Sequence, residues 1–194
     1  MVRLPERRKV RDVELMTALA HPLRAGLLRY LMAVGPRTAS ECAEAVGSTA
    51  SNCSWHLRQL AKFGLVEAEP DAGDARQRPW KASVVGLELG SVADDPAMRA
   101  AQLAVFGASL ADEQELTQRF LDRTDELGPE WRDAGGVNTY ALRITAAELG
   151  ELAQQIEDLV RPYVATIRTD APPGARPVHA GFRAFPRLER GQPR

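Results

Sequence analysis

Thiols and imidazoles are scarce in this sequence, and their scarcity excludes the common structural metal centres. The 194 residues include two cysteines and three histidines. A structural zinc site uses four Cys or His ligands, typically with two cysteines separated by about two to four residues. Cys42 and Cys53 are eleven residues apart, and each falls on the apolar side of its own predicted helix. We therefore predict no metal and no cofactor, and we expect both cysteines to be small buried apolar residues.

Catalytic motifs and long apolar runs are also lacking. The sequence has no Gly-x-Ser-x-Gly elbow, Walker loop, Gly-x-Gly-x-x-Gly turn or His-Glu-x-x-His pair, so it does not predict an enzyme. No apolar run approaches the roughly 20 residues that span a bilayer. Residues 1–11 are charged and lack the apolar core of a signal peptide. We therefore expect a cytoplasmic protein that has no membrane partner.

Charge is distributed unevenly along the chain, although the net charge of −1 is small. Residues 1–90 carry 13 Lys and Arg against 10 Asp and Glu, a balance of +3. Residues 91–194 carry 12 Arg against 16 Asp and Glu, a balance of −4. This asymmetry favours one half that faces nucleic acid and another that faces a second copy or a ligand. The basic cluster at residues 7–11 has two interpretations, an arm that touches DNA and a disordered tail.

Residues 38–66 have the pattern of two short helices joined by a tight turn. The first helix has one apolar face, made by Ala39, Cys42, Ala43 and Val46. Gly47 interrupts this pattern, and Ser48 or Thr49 can cap a second helix. The apolar face of the second helix is made by Cys53, Leu57 and Leu60. The pattern predicts a helix-turn-helix.

The second helix has no acidic residue between Thr49 and Leu65. A solvated helix face usually carries Glu and Lys, whereas hydroxyls and an arginine suit a helix in the major groove of DNA. We therefore predict DNA contacts from Thr49, Ala50, Ser51, Asn52, Ser54, Trp55, His56, Arg58 and Lys62. For His56, phosphate contact and internal packing stay open as alternatives.

Two extended segments follow this helix and predict a β-hairpin, the wing of a winged helix. Residues 63–69 end the helix at a glycine and enter an alternating run, residues 70–74 have turn chemistry, and residues 76–82 form a basic second strand. Arginine and lysine supply the salt-dependent part of DNA binding. We expect Arg76, Arg78 and Lys81 to contact backbone phosphates.

Two motifs resemble the ArsR-type winged-helix repressors over residues 13–87. One is His21-Pro22-Leu23-Arg24 with the leucine-rich helix that follows, and the other is Ser54-x-His56-Leu57-x-x-Leu60-x-x-x-Gly64-Leu65-Val66. The resemblance implies a dimeric cytoplasmic regulator that usually represses and that releases DNA when an effector binds. Metal-sensing members carry a Cys-x-Cys pair where this sequence has Thr38 and Ser40. The resemblance therefore does not extend to metal sensing.

A long helix is predicted between residues 92 and 128. Asp94 or Asp95 can cap it with Pro96 at its first position, and Gly128-Pro129 stops it. Its apolar stripe contains Leu103, Phe106, Leu110, Leu116, Phe120 and Leu127. A small winged domain cannot cover so long a helix. We therefore predict a homodimer interface at Leu103, Phe106 and Leu110, with packing against the C-terminal part as the alternative.

The C-terminal third has the pattern of a strand-helix-strand unit. Residues 137–144 alternate like a strand, Thr145 and Glu148 can form a capping box, and residues 178–185 can form a second strand. The unit can serve as a scaffold, stabilise the dimer, bind a small molecule or receive a protein partner. The candidate effector-binding residues combine aromatic faces with polar heads and are Trp131, Tyr140, His179, Arg183 and Phe185.

The whole sequence predicts a mainly α protein of the α+β class in three parts. Residues 1–90 are the winged helix-turn-helix, residues 91–135 the linking and dimerisation helix, and residues 136–194 the small α/β unit. The predicted function is a dimeric DNA-binding transcription regulator with double-stranded DNA and an unknown small-molecule effector as partners. The alternative is a winged helix that binds protein, because Trp55 is large and apolar for a position that contacts bases.

Overall fold

Four helices build the N-terminal domain, and three of them begin at a side-chain cap. The computed structural model describes residues 5–69, 78–189 and 191. The helices are α1 (Val13–Leu19), α2 (Pro22–Val34), α3 (Ala39–Val46) and α4 (Ala50–Lys62). Asp12 caps α1, Thr38 caps α3 in a capping box with Glu41, and Thr49 caps α4. The predicted pair of helices is confirmed, and α4 begins at Thr49, one of its two predicted caps.

The core of this domain is formed by aliphatic side chains and the two cysteines. Its fully buried members include Leu15, Leu27, Leu28, Leu31, Cys42, Cys53, Leu57 and Leu60. Each leucine removed from water in this way contributes about 1.5–3 kcal/mol to the free energy of unfolding. The predicted apolar faces of α3 and α4 therefore do pack inward, and they hold the two helices against α2.

The wing is a two-stranded antiparallel sheet. Strand β2 (Val66–Ala68) pairs with β3 (Trp80–Ala82), with Val66 opposite Ala82 and Ala68 opposite Trp80. The predicted turn at residues 70–74 lies outside the described residues. Arg37, just before α3, joins the wing through two backbone hydrogen bonds with Trp80, at 2.9 and 2.7 Å. The wing is thereby fixed to the start of the helix-turn-helix.

The described part of the basic N-terminal segment is folded onto the domain. Strand β1 (Arg8–Lys9) pairs in parallel with β4 (Leu87–Glu88). Arg7 forms an ion pair with Glu157 at 2.7 Å, and the Arg8 Nη1 donates to the Gly64 carbonyl oxygen at 3.3 Å. From residue 5 onward, the segment is therefore neither a free arm nor a disordered tail, because its backbone and two of its arginines already have partners.

Helix α5 (Pro96–Asp122) is the longest helix and packs on α1 and α2. Asp95 caps it by accepting a hydrogen bond from the Met98 N–H at 2.8 Å, as the sequence predicts. The helix ends at Asp122 rather than at Gly128, because residues 124–126 tighten into a 3-10 turn. No helix within the described ranges combines the length and the apolar character needed to cross a membrane.

The side of α5 that packs on the winged domain differs from the apolar stripe predicted as a dimer interface. Gln102 and Val105 are the buried residues of α5, whereas Leu103 and Leu110 are 52% and 47% exposed. The Gln102 side chain donates to the carbonyl oxygens of Leu89 and Ser91 at 2.9 and 3.0 Å and accepts from the backbone N–H of residue 93 at 2.8 Å. This buried amide fixes α5 to the segment that leaves β4.

The C-terminal third is helical and irregular, so the predicted strand-helix-strand unit is wrong. It contains α6 (Pro129–Ala134) and α7 (Ala146–Val160), and the capping box of Thr145 and Glu148 at the start of α7 is confirmed. Residues 137–144 and 178–185 form no strand. An alternating run becomes a strand only where a neighbouring strand bonds its backbone. Neither segment has such a neighbour among the described residues, and Tyr140 and Phe185 are 76% and 77% exposed.

Candidate nucleic-acid interface

The turn between α3 and α4 depends on one glycine. Gly47 adopts a left-handed conformation with φ of 63°, which a side chain would strain. The Ser48 N–H donates to the Ala43 carbonyl oxygen at 3.0 Å and closes the end of α3. Thr49 then caps α4 by accepting from the Asn52 N–H at 3.3 Å. The direction in which α4 leaves the turn is set by these local contacts.

Helix α4 has one face in the core and one in solvent. Cys53, Leu57 and Leu60 are fully buried. The opposite face holds most of the predicted DNA-contacting residues, and its exposed members are Ala50, Ser51, Asn52, Trp55, Arg58 and Lys62. Ser54 is half-buried beside them, and Thr49 is exposed at the cap. The structure therefore brings the predicted set together on one surface, with His56 as the exception.

The polar groups of this surface are held by neighbours in the same turn or helix. Arg58 donates from Nε to the Ser54 carbonyl oxygen at 3.1 Å and from Nη2 to its hydroxyl at 3.0 Å. The Asn52 amide donates to the Ser48 hydroxyl at 3.1 Å, and Lys62 donates to Gln59 at 2.9 Å. These bonds are solvent-exposed and weak in net terms. A ligand with acceptor atoms can replace them at little cost.

His56 is packed inside the domain, so phosphate contact is the wrong alternative for this residue. Its side chain lies 4.5 Å from the His21 ring and 4.7 Å from the Trp55 ring, centroid to centroid, and 5% of the residue is exposed. Nδ1 is buried and has no hydrogen-bond partner among the described residues. Burial, with smaller electrostatic contributions from His21 and Arg24, lowers the pKa of His56 below its usual value.

The wing presents less positive charge than the sequence predicts. Lys81 lies 3.3 Å from Glu67 and 3.8 Å from Glu69, both on the facing strand of the hairpin or next to it. Cross-strand register, which the sequence alone does not reveal, brings these acids to the lysine. Arg78 is exposed, and Arg76 lies outside the described residues. Arg37 is a further positively charged residue beside the wing, and the sequence analysis did not identify it. It joins the wing through a single β-bridge to Trp80, and one bridge residue leaves no strand periodicity in the sequence.

The five candidate effector residues do not share one site, although His179 and Arg183 both lie near Glu113. Trp131 stacks under the Arg176 guanidinium at 5.3 Å, and Arg183 pairs with Glu113 of α5 at 3.1 Å. Tyr140 is 76% exposed, and His179 is exposed as well. Phe185, also proposed from the sequence, is 77% exposed. Fixed polar partners and full exposure do not make a small-molecule pocket.

The cysteines are placed as apolar core residues. Cys42 and Cys53 are both free thiols and fully buried. Burial, with a smaller contribution from Cys53, raises the pKa of the Cys42 thiol to about 11, so it is protonated at neutral pH. A metal ligand must be a thiolate. Within the described residues, no three His, Cys, Asp or Glu side chains are grouped to hold an ion.

The N-terminal domain is the part of the chain that matches a known family model. Residues 19–69 match a family model described as a helix-turn-helix domain, a segment that runs from the end of α1 through β2. No curated protein matches the chain. The matched segment and the paired strands β2 and β3 together form a winged helix-turn-helix.

Several solved structures are similar to the chain at low overall superposition. The homodimeric winged helix-turn-helix DNA-binding domain of a possible ArsR-family transcriptional regulator from Mycobacterium bovis is 26% identical, covering 53% of this chain and 82% of that one, with a TM-score of 0.32. A probable transcriptional regulator from Pseudomonas aeruginosa is 18% identical, covering 75% and 89%, with a TM-score of 0.30. A MarR-family protein of Mycobacterium tuberculosis in complex with salicylic acid is 15% identical, covering 76% and 87%, with a TM-score of 0.29.

Acidification is expected to destabilise the N-terminal domain through His56. Because the pKa of His56 is lower in the folded state, the unfolded chain takes up a proton first as the pH falls below about 6.5. The free energy of unfolding then decreases until the pH reaches the folded-state pKa. Urea unfolding at about pH 7.5 and about pH 5 measures this decrease, and His56→Phe should reduce it. His179→Phe, at an exposed site, should retain it. An equal decrease in wild type and His56→Phe would contradict the prediction.

Proposed function

We propose that the protein is a homodimeric, sequence-specific DNA-binding transcription regulator that represses its operator and is released by a small molecule. The observation that carries this proposal is the exposed face of α4, which has no acid and is fixed to the core from behind. Base-edge and nearby backbone contacts come from Thr49, Ala50, Ser51, Asn52, Ser54, Trp55, Arg58 and Lys62. Arg78, Lys81 and the undescribed Arg76 contact the flanking backbone.

The electrostatics of α4 support a nucleic-acid partner. Its N-terminal amides and helix dipole favour an approaching phosphate, and the first turn contains no acidic residue to oppose it. Arg58 is exposed near the middle of the helix and Lys62 at its end. An arginine can donate two parallel hydrogen bonds to a guanine edge in the major groove. The surface thus combines a positive field with one side chain that can discriminate between bases.

The exposed stripe of α5 supports a dimer. Leu103 and Leu110 lie two turns apart and are about half exposed, at 52% and 47%, and the half-buried Phe106 lies between them. Because α5 already packs on α1 and α2, a second copy at this stripe would be rigidly coupled to the winged domain. A two-fold axis there would place two α4 helices on successive major grooves roughly 34 Å apart.

One observation favours a second function, a winged helix that binds protein. Trp55 is 51% exposed at the centre of the α4 surface, and exposed tryptophans are frequent anchors of protein interfaces. The same ring can contact thymine methyl groups. Salt separates the two functions, because counterion release makes DNA binding steeply salt-dependent and an apolar protein contact lacks this term.

The test is a fluorescence-anisotropy titration of the full chain with pooled fragments of its genome, including the region upstream of its own gene, at low and moderate salt. Saturable, selective binding that weakens steeply with salt is the expected result. Uniformly weak binding at both salt concentrations, with and without small-molecule extracts, would contradict a DNA-binding function and favour the protein-binding one.

Arg58→Ala is expected to weaken binding to the selected operator by roughly 1–3 kcal/mol, because it removes a bidentate base contact. Arg58→Lys is the matched control for charge. It keeps the positive charge and loses the planar pair of donors, so it should lose selectivity while retaining most non-specific affinity. Fluorescence anisotropy with operator and scrambled duplexes measures the operator affinity and the non-specific affinity of each variant. Unchanged operator affinity in Arg58→Ala would remove Arg58 from the contact set.

Arg78→Ala is expected to weaken binding to all duplexes alike and to reduce the slope of log affinity against log salt by about 1. The reason is that Arg78 is expected to contact a phosphate and no base, so the variant loses only a sequence-independent contact. Lys81→Ala should have a smaller effect on the slope, because Glu67 and Glu69 already offset that charge. A loss confined to the operator would show that Arg78 contacts a base.

Leu110→Glu is expected to convert the dimer to a monomer, because it places a charge within an apolar contact. Sedimentation velocity measures the change, and operator binding should weaken as the two half-sites become independent. Leu188→Glu makes the same change at a more exposed leucine outside α5, which is 82% exposed, and should leave the dimer intact. A Leu110→Glu protein that sediments as wild type would contradict the α5 interface.

A further inference from the structure

A cavity of about 180 Å³ lies between the winged domain and α5, and it is partly open to solvent. Leu28 and Met32 of α2 form one wall, Leu87 of β4 forms a second and Val105 of α5 forms a third. None of the α4 residues that form the proposed DNA surface lines the cavity. It is also separate from Trp131, Tyr140, His179 and Arg183, none of which lines it.

The walls and volume of this cavity suit one ring of an apolar molecule. Seven of its nine lining residues are apolar, and only Arg29 and Ser109 bring polar atoms. An apolar cavity of about 150 Å³ in another protein stays dry and binds benzene. A volume of about 180 Å³ therefore accommodates a six-membered aromatic ring with a short substituent.

The polar edge of the cavity indicates the substituent. Arg29 donates from Nε to Asp112 at 2.8 Å, and both side chains are about one-quarter exposed, at 29% and 27%. The guanidinium has further N–H donors, and Ser109 adds a hydroxyl on α5. Because Asp112 balances the charge of Arg29, the edge favours a neutral oxygen acceptor over a carboxylate. A bound carboxylate would have to lie close to the Asp112 charge.

The position of the cavity couples two parts of the molecule. Helix α2 packs against α3, α4 and β3 and also against α5. The Arg29–Asp112 pair joins α2 and α5 directly. A ring inserted between these helices changes the spacing between the helix that supports α4 and the helix that carries the proposed dimer stripe. Such a change alters the separation of the two α4 helices in a dimer, on which operator affinity depends.

We propose that this cavity binds a neutral single-ring aromatic molecule bearing one oxygen acceptor, and that its occupancy changes operator affinity. The binding part of the proposal stands on the cavity alone, and the regulatory part rests on the proposed function. Ligands of about ten non-hydrogen atoms bind with affinities of roughly 10 μM to 1 mM. The chemistry of the cavity therefore calls for a metabolite that reaches such concentrations.

Isothermal titration calorimetry of the full chain with benzyl alcohol tests the binding part. We expect saturable binding with one site per chain and a rise in melting temperature, because the ligand stabilises the folded state by mass action. Toluene, which lacks the oxygen, and benzoate, which is charged, should both bind more weakly. Ser109→Ala should remove part of the advantage of benzyl alcohol over toluene, since it removes one hydrogen-bonding group and keeps the space.

Filling the cavity should abolish binding. Ser109→Phe places a ring at the half-buried mouth of the cavity and should weaken benzyl alcohol binding by about tenfold or more. Met32→Trp, from the opposite wall, should do the same and serves if Ser109→Phe folds poorly. Ala104→Phe is the matched control, because this α5 residue is exposed and does not line the cavity. The site would be overturned if wild type showed no saturable binding of benzyl alcohol, or if both filled variants bound it with the affinity of wild type.

The regulatory part is tested by operator titrations with and without benzyl alcohol. We expect the ligand to change operator affinity several-fold in wild type and Ala104→Phe but not in Ser109→Phe. Calorimetric binding with an unchanged operator affinity would overturn the regulatory part and leave the site established. A protein that binds no DNA would overturn the proposed function, while calorimetry would still decide whether the cavity binds its ligand.

Discussion

Burial of one side of α4 is the constraint on which the rest of the molecule depends. Cys53, Leu57 and Leu60 are fully removed from solvent, and the two leucines together contribute about 3–6 kcal/mol to the stability of the fold. Gly47 and the Thr49 cap set the direction in which the helix enters this contact. The opposite face is then held in solvent as a rigid surface. A DNA-contacting helix needs this rigidity because its side chains must meet several bases at once.

The second organising feature is the central position of α2. It packs against α3, α4, the wing strand β3 and α5. The buried Gln102 amide and the Arg29–Asp112 pair fix α5 in place from two directions. The cavity beside that pair interrupts an otherwise close contact. DNA binding, dimerisation and ligand binding are therefore proposed for surfaces that share one supporting helix, which is the arrangement that coupling between them requires.

The parts of the fold that the sequence predicts correctly have local signals. Thr49, Asp95 and Thr145 with Glu148 all cap helices as expected, because a cap bonds only to residues a few positions away. The errors involve contacts between distant residues. The pairing of β1 with β4, the packing of His56 against His21 and the acids facing Lys81 depend on tertiary register. The alternating runs near Tyr140 and Val178 have strand periodicity, but the described part of the chain offers them no strand to pair with.

The most direct test of the central claim is hydroxyl-radical footprinting of the full chain on its selected operator. Two α4 helices in successive major grooves predict two protected half-sites of related sequence, with centres about 10–10.5 base pairs apart and protection on one face of the duplex. Weaker protection should flank them where the wings contact the backbone. A single protected site, or uniform protection without a two-fold pattern, would contradict a dimer that presents α4 to DNA.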